Sequence, residues 1–404
     1  MSFQQGLSGL NAAARSLEVI GNNVANANTV GFKGAETLFA DVFANSLTGA
    51  GASQIGIGVK VAEVRQQFTQ GNITASNNPL DIAINGGGFF RLSDNGTIAY
   101  SRNGQFQLDK SGFIVNANGS RLTGYTADAN GVLSTGAAGD LSIDTTALPP
   151  RVSTEVKSIV NLDSREPNLV SASFLVGDPR SYTSATAVQV FDTLGNPHTV
   201  QSFYVKTAAA SWDMFAATDG VQIGAGPMGT LTFGTDGKLA TGSPMTIPIN
   251  VTTGATTPFN VNFDLTGTTQ FGNEFGVTTL NQDGYTSGQL SGFSAAADGT
   301  IVGRYTNGKS ATLGQIVLAS FVNPNGLQSL GNNAWAETST SGSPLVGTPK
   351  SSGLGVLQSS ATEESNVDLT SELVDMITAQ RYYQANAQTI KTEDQVLQTL
   401  VNLR

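Results

Sequence analysis

Two apolar stripes at helical spacing, one at each end of the chain with a strand-like middle between them, constrain the fold more than any other feature of this sequence. Near the N-terminus, Phe3, Leu7, Leu10, Ala14, Leu17, Gly21 and Val24 alternate four and three apart, the a/d seam of an amphipathic helix over residues 1–25. Near the C-terminus, Leu369, Leu373, Met376, Gln380, Tyr383, Ala387, Ile390, Asp394, Leu397 and Val401 keep the same alternation. That run predicts a helix from 369 to 403, roughly 50 Å long. Ser2 with Gln5 and Ser365 with Asp368 fit capping boxes at the two starts. Stripes of this kind usually mark ordinary core helices, but these two are narrow, polar on their backs and placed at the ends. Isolated helices of this kind are marginal in water, so each wants the other, or copies from neighbouring chains, as its partner. Gln380 and Asp394 interrupt the second seam and suit one shared among several chains or lining a wet channel.

Between the stripes the period changes to two, as in Leu80, Ile82 and Ile84 or Phe106 and Leu108. Asn-Gly and Asp-Gly dipeptides punctuate these runs from Asn85-Gly86 to Asn325-Gly326, which favours antiparallel hairpins over βαβ units. The expected architecture is mainly β with terminal α-helices: the helices pair as a coiled-coil layer, and antiparallel β domains stack outward, one inserted in another. The expected boundaries are an N-terminal helix at 1–28, a loose connector at 29–78, and an inner β domain made of 79–147 and 285–360. An outer β domain is inserted at 148–284, and a C-terminal helical segment occupies 361–404.

Composition closes off most chemistry. The net charge of −10, with no basic run, excludes a nucleic-acid surface. No apolar run reaches the roughly 20 residues of a membrane span, so no membrane insertion is expected, and no signal-peptide pattern opens the chain. With no cysteine and one histidine, His198, thiolate metal sites and most catalytic triads are out of reach. His198 reads as a surface or satisfied core residue. The pairs Glu363-Glu364 and Glu393-Asp394 read as solvated carboxylates on or beside the C-terminal helix. Neither Gly86-Gly87-Gly88 nor Gly56-Ile57-Gly58 has the context of a phosphate loop. No catalytic residue, metal or cofactor is expected.

The segment Gly21 to Lys33 (GNNVANANTVGFK), with Asn22, Asn23, Asn26, Gly31, Phe32 and Lys33, resembles the N-terminal signature of bacterial flagellar rod and hook proteins. The run from Ser365 to Lys391 resembles the closing helix of the same family, and Leu80 to Phe90 is similar to the opening of its first β domain. Because the chain has one extra β domain, it is most similar to the hook members. Tyr100–Phe106, Gly314–Ala319 and Thr399–Arg404 agree with that.

The resemblance implies a structural subunit that assembles with many copies of itself into a curved, flexible tube on the bacterial flagellum, outside the cell. It implies export without a cleaved signal, and as partners the distal rod protein, hook cap, hook-length control protein, hook-filament junction protein and flagellar export gate. The assembly seam would be Phe3, Leu7, Leu10, Leu17, Val24, Leu369, Leu373, Met376, Tyr383, Ile390, Leu397 and Val401. Phe39 and Phe43 are similar to the family's export-gate element, or else form a small buried cluster in the connector. The rival readings are a distal rod protein with an extra domain and an extracellular β-rich adhesin or binding module.

Overall fold

A computed structural model describes residues 2–42, 56–128 and 131–402. The chain divides into two units: Met1–Asp144 with Gly292–Gly303 and Ser310–Arg404, and Thr145–Ser291 with Arg304–Lys309. The second unit therefore begins and ends a few residues outside the expected 148–284, and it also takes in a hairpin tip from later in the chain.

In the first unit, helices α1 (Ser2–Ala25) and α2 (Leu369–Asn402) frame the two ends. Asp368 caps α2: its Oδ1 accepts the backbone N–H groups of Thr370 at 2.8 Å and Ser371 at 3.2 Å. The capping box expected at Ser365 is therefore displaced. Ser365 Oγ instead accepts the N–H of Val367 ahead of the helix.

The connector is not loose. Strands β1 (Ala35–Val42) and β2 (Gly58–Gln66) pair antiparallel with a bulge between Leu38 and Phe39. Strand β3 (Ile73–Ala75) pairs with Ala361–Glu363. The β body that follows is antiparallel: Phe89–Asp94 lies between Thr97–Ser101 and Arg121–Thr126, and the latter also pairs with Ser310–Ile316. Asn95-Gly96 makes the two-residue turn that joins the first pair, with φ values of 50° and 94°, the left-handed backbone such a turn requires. The core there is an aromatic cluster of Phe89, Tyr100, Phe321 and Trp335, with Phe68 meeting Phe89 and Trp335 edge-on at 5.4 Å.

The second unit is a sandwich. One sheet runs Ser184–Phe191, Pro197–Ala208, Ser211–Thr218, Gly229–Phe233, Leu239–Thr241. The other runs Met245–Ile249, Phe259–Asp264, Glu155–Asn161, Gly276–Gln282. Val156, Trp212, Met214, Leu231, Ile247, Val261 and Phe263 fill the space between them. One pair departs from the expected antiparallel rule, for Glu155–Asn161 lies parallel to Phe259–Asp264. Strand Gly276–Gln282 closes the unit antiparallel to Glu155–Asn161 on its other edge. Charge is sparse, and several arginines find a carboxylate close by in sequence. Arg15 meets Glu18 at 2.7 Å, Arg165 meets Asp163 at 2.7 Å, and Arg180 meets Asp178 at 3.1 Å.

Candidate assembly surface and its anchor

The two terminal helices lie antiparallel, with Gly6 beside Ile390, Gly9 beside Asn386, and Asn23 bonded to Glu372 at 2.9 Å. Their contact is built from small groups. On α1 the facing residues are Gly6, Gly9, Ala13, Ser16, Ile20 and Asn23, again four and three apart. A Cβ placed on Gly9 would lie 2.6 Å from Asn386 Oδ1, and one on Gly6 would lie 3.1 Å from Ile390 Cγ1. Glycine at these positions allows the backbones this approach.

The large residues of the expected seam sit one position further round α1 and largely miss this contact. Phe3 is 45% exposed and Leu7 is also exposed, while Leu10, Leu17 and Val24 are half-buried. On α2, Leu369, Leu373, Tyr383, Leu397 and Val401 are exposed, the last at 74%, and Met376 and Ile390 are half-buried. Val374, Ile377, Tyr382 and Val396, absent from the expected seam, are exposed as well. Apolar surface spread over two long helices in this way is characteristic of an interaction site. The large apolar residues mark the outward face of α1, and the small ones mark the face that meets α2. A row of Gly, Ala and Ser at helical spacing was the signal for the inner contact.

A groove of about 770 Å³ runs between α1, α2, β1 and β2. Ala13, Ile20 and Ala379 line it together with the carboxylates Glu36, Asp368, Glu372 and Asp375. Burial pushes the Glu372 carboxyl above its usual range; the hydrogen bond from Asn23 opposes this and the charge of Asp375 adds to it. Phe39 lies on β1 at the rim, exposed rather than clustered in a core. Its expected companion Phe43 lies outside the described residues.

Beyond the groove, the motif residues converge on a buried knot. Lys33 Nζ donates to Glu363 Oε1 at 2.6 Å and to the carbonyl of Thr69 at 2.7 Å. Arg102 donates to Glu363 Oε2 at 3.0 Å and to the carbonyl of Gly86 at 2.7 Å. The side chains of Lys33 and Glu363 are wholly buried and that of Arg102 nearly so. Burial pushes both cations below their usual pKa, and the opposing pull of Glu363 is too small to reverse it. Glu363 is therefore not a solvated carboxylate: it lies on a strand ahead of α2, directed into the unit.

The rest of the motif serves the same junction. The N–H of Gly31 donates to the Glu363 carbonyl at 2.8 Å. At Gly31, φ is 71°, and a Cβ would fall 2.6 Å from Asn103 N, so only glycine fits. Asn23 exchanges two hydrogen bonds with Ala35, at 2.8 and 2.9 Å. Asn26 donates to the Asn22 carbonyl and accepts from Thr29 at the end of α1. Phe32 is half-buried.

In the second unit His198 is held by two carboxylates, Nδ1 at 2.7 Å from Asp219 and Nε2 at 3.4 Å from Asp192. Burial alone would raise the Asp192 carboxyl, yet hydrogen bonds from Thr253, Asn196 and His198 hold it well below the usual range. Among the described residues no cluster of His, Asp and Glu has the arrangement of a metal site. No described helix is long and apolar enough to cross a membrane.

Comparison with known proteins covers nearly the whole chain. Residues 3–33 match the flagellar basal body rod protein model and 83–157 the flagellar hook protein FlgE/F/G D1 domain. Residues 161–285 match the flagellar basal body protein FlaE D2 domain, and 358–403 the flagellar basal body rod FlgEFG protein C-terminal model. The flagellar hook protein FlgE of Salmonella typhimurium is 44% identical over 410 residues, covering 100% of both chains. That of Borreliella burgdorferi is 33% identical over 444 residues, covering 100% of this chain and 99% of its own. A crystal structure of the Helicobacter pylori flagellar hook protein FlgE2 shares the fold at a TM-score of 0.54 and 13% identity, covering 70% of this chain and 99% of that one.

Proposed function

The chain belongs to the flagellar hook protein family, and from that premise we propose how its own residues build the hook. It is a structural subunit of the bacterial flagellar hook. Copies join through the outward faces of α1 and α2 into a curved, flexible tube that carries torque from rod to filament. One observation carries this reading: α1 meets α2 largely through small residues, with Ile20 on α1 and Ile390 on α2 as exceptions, and most of the other large apolar residues of both helices stay exposed or half-buried. Seam residues Phe3, Leu7, Leu10, Leu17, Val24, Leu369, Leu373, Met376, Tyr383, Ile390, Leu397 and Val401 then pack against neighbours or line the contact between them. Burying a Leu or Phe contributes about 1.5–3 kcal/mol, so a few such residues per copy outweigh the weak contacts of the charge-poor β surfaces.

The chain does no catalysis in this role. Besides its own copies it meets the distal rod protein, hook cap, hook-length control protein, hook-filament junction protein and flagellar export gate. Phe39 and Phe43 serve the gate during export. Leu373→Asp and Leu397→Asp test the seam. Because both positions are exposed, the soluble chain should keep its fold while hooks disappear from cells viewed by electron microscopy. Normal hooks from both variants would refute the seam.

A further inference from the structure

Seven Asn-Gly pairs punctuate the chain, and their use as turns does not exhaust their chemistry. The main-chain nitrogen after an asparagine can attack that residue's own amide carbon, and a following glycine has no side chain to hinder it. The reaction favours an Asn side chain open to water and a Gly N–H with no hydrogen bond to give up. The pairs differ on both counts. Gly119 N–H donates to the Asn116 carbonyl at 3.0 Å, Gly308 N–H to the Tyr305 carbonyl at 3.0 Å, and Gly326 N–H to the Asn323 carbonyl at 3.1 Å. The Asn307 amide is also held at both ends: it donates to the Thr286 carbonyl at 2.7 Å and accepts from the Lys309 N–H at 3.1 Å. Asn85 belongs to a strand paired with Val356–Ser359, and Gly104 is buried so closely that a Cβ there would overlap the Ile82 carbonyl. Asn130 lies outside the described residues. Asn95-Gly96 stands apart. Both residues are exposed, and nothing lies within 4 Å of a Cβ placed on Gly96. Among the described residues no acceptor meets the Gly96 N–H, and the Asn95 amide makes one bond, from Nδ2 to Asp94 Oδ1 at 3.0 Å.

We propose that Asn95 is a self-modification site, converted with time to aspartate and isoaspartate. Gly96 N bonds to Asn95 Cγ and releases its proton to water. The Cγ–Nδ2 bond breaks and the nitrogen leaves, protonated, as ammonia. Water then opens the cyclic imide at either of its carbonyls. Opening at the side-chain carbonyl gives aspartate; opening at the main-chain carbonyl gives isoaspartate, whose main chain runs through Cγ and is one carbon longer. One water enters and one ammonia departs, with no oxidant or reductant. The place of the turn gives the change its effect. Asn95 and Gly96 form a two-residue turn with φ values of 50° and 94°, and such a turn fixes the register of its strands. An extra main-chain carbon disturbs that register. The new carboxylate also loses the Nδ2 bond and stands as a like charge beside Asp94. The two strands carry Phe89 and Tyr100 into the aromatic cluster, so loosening at the turn reaches the core of the β body. A subunit that is never replaced would record its age there. The site itself does not depend on how copies assemble.

Ageing the full-length soluble chain in mildly alkaline buffer tests it, with peptide mass spectrometry that separates asparagine, aspartate and isoaspartate. Asn95 should convert about threefold or more faster than Asn118, Asn307 and Asn325, whose glycines must first release a hydrogen bond. Hydrogen exchange of peptides from 89–101 should quicken in step with that conversion, while the 211–218 strand of the second unit stays unchanged. Asn95→Gln, whose longer side chain closes the ring poorly, should abolish both effects. Three results would each overturn the proposal: conversion at Asn95 no faster than at Asn118 or Asn307, conversion with no change in exchange across 89–101, or an aged Asn95→Gln chain that loosens as much as the aged original.

Discussion

Gly9 and Gly21 share one helix and differ only in what stands opposite, so the pair isolates the helix contact from helix propensity. Replacing glycine by alanine inside a helix gains about 0.5–1 kcal/mol from the backbone alone. At Gly21 nothing lies within 4 Å of the new Cβ, so Gly21→Ala should gain that amount. At Gly9 the Cβ would sit 2.6–2.9 Å from the atoms of the Asn386 amide, which is itself fixed by a 2.9 Å bond from its Nδ2 to the Tyr382 carbonyl. Moving that amide gives up a hydrogen bond of about 0.5–1.5 kcal/mol, and wedging a methyl into a close contact adds about 1–3 kcal/mol. Against the backbone gain, Gly9→Ala should be a net loss of about 0.5–4 kcal/mol. Hydrogen exchange of α1 amides in the soluble chain reads both: faster for Gly9→Ala, about two- to fivefold slower for Gly21→Ala. Asn386→Ala clears the space and should return the Gly9→Ala helix to at least its original protection. If Gly9→Ala protects α1 as Gly21→Ala does, the helices are not in contact through their glycines.

The remaining expectations concern the second unit and export. The pKa of Asp192 is depressed in the fold, so its contribution is fully present above the unfolded value near pH 4 and is lost as pH falls below it; Asp192→Asn should flatten that acid slope and weaken the unit at neutral pH, read from Trp212 fluorescence in a Trp335→Phe background. Phe263→Ala, at a wholly buried position between the sheets, should cost about 3–5 kcal/mol in denaturant unfolding followed the same way. Excising residues 150–283 should leave polymerisation by the helices intact but abolish supercoiling, seen by electron microscopy; hooks that still curve and bend normally would exclude the inserted domain as the part that sets curvature. Alanine at both Phe39 and Phe43 should stop secretion while the purified chain stays soluble, and normal secretion would sink the export-gate reading.

The helices were readable because a single-faced apolar period of three and four fits a helix and no strand, and the two-residue turn at Asn95-Gly96 because its backbone angles leave little choice of residue. The β1–β2 hairpin was not, since a long Gly-rich stretch separates two strands whose inward residues are only half-buried. The contact face of α1 was missed because small residues carry no hydropathy signal. The knot illustrates a general limit. Lys33 stood out as part of a motif, but its partner lies far along the chain beside a second glutamate, and two adjacent carboxylates look solvated until the fold shows one turned inward.

The arginines that find their carboxylates a few residues away bear on where such a tube can survive. Arg15, Arg165 and Arg180 are each neutralised within their own stretch of chain, and charged residues make up only 12% of the sequence, so contacts between copies can be built mostly from uncharged groups. Ionic strength acts on exposed charge, shrinking its reach from about 30 Å in dilute solution to about 8 Å near physiological salt. Contacts made of apolar faces and neutral polar strands hardly register that change. A swimming cell moves from fresh water to brine without adjusting the parts it has already exported, and a coupling assembled this way would keep the same stiffness in both.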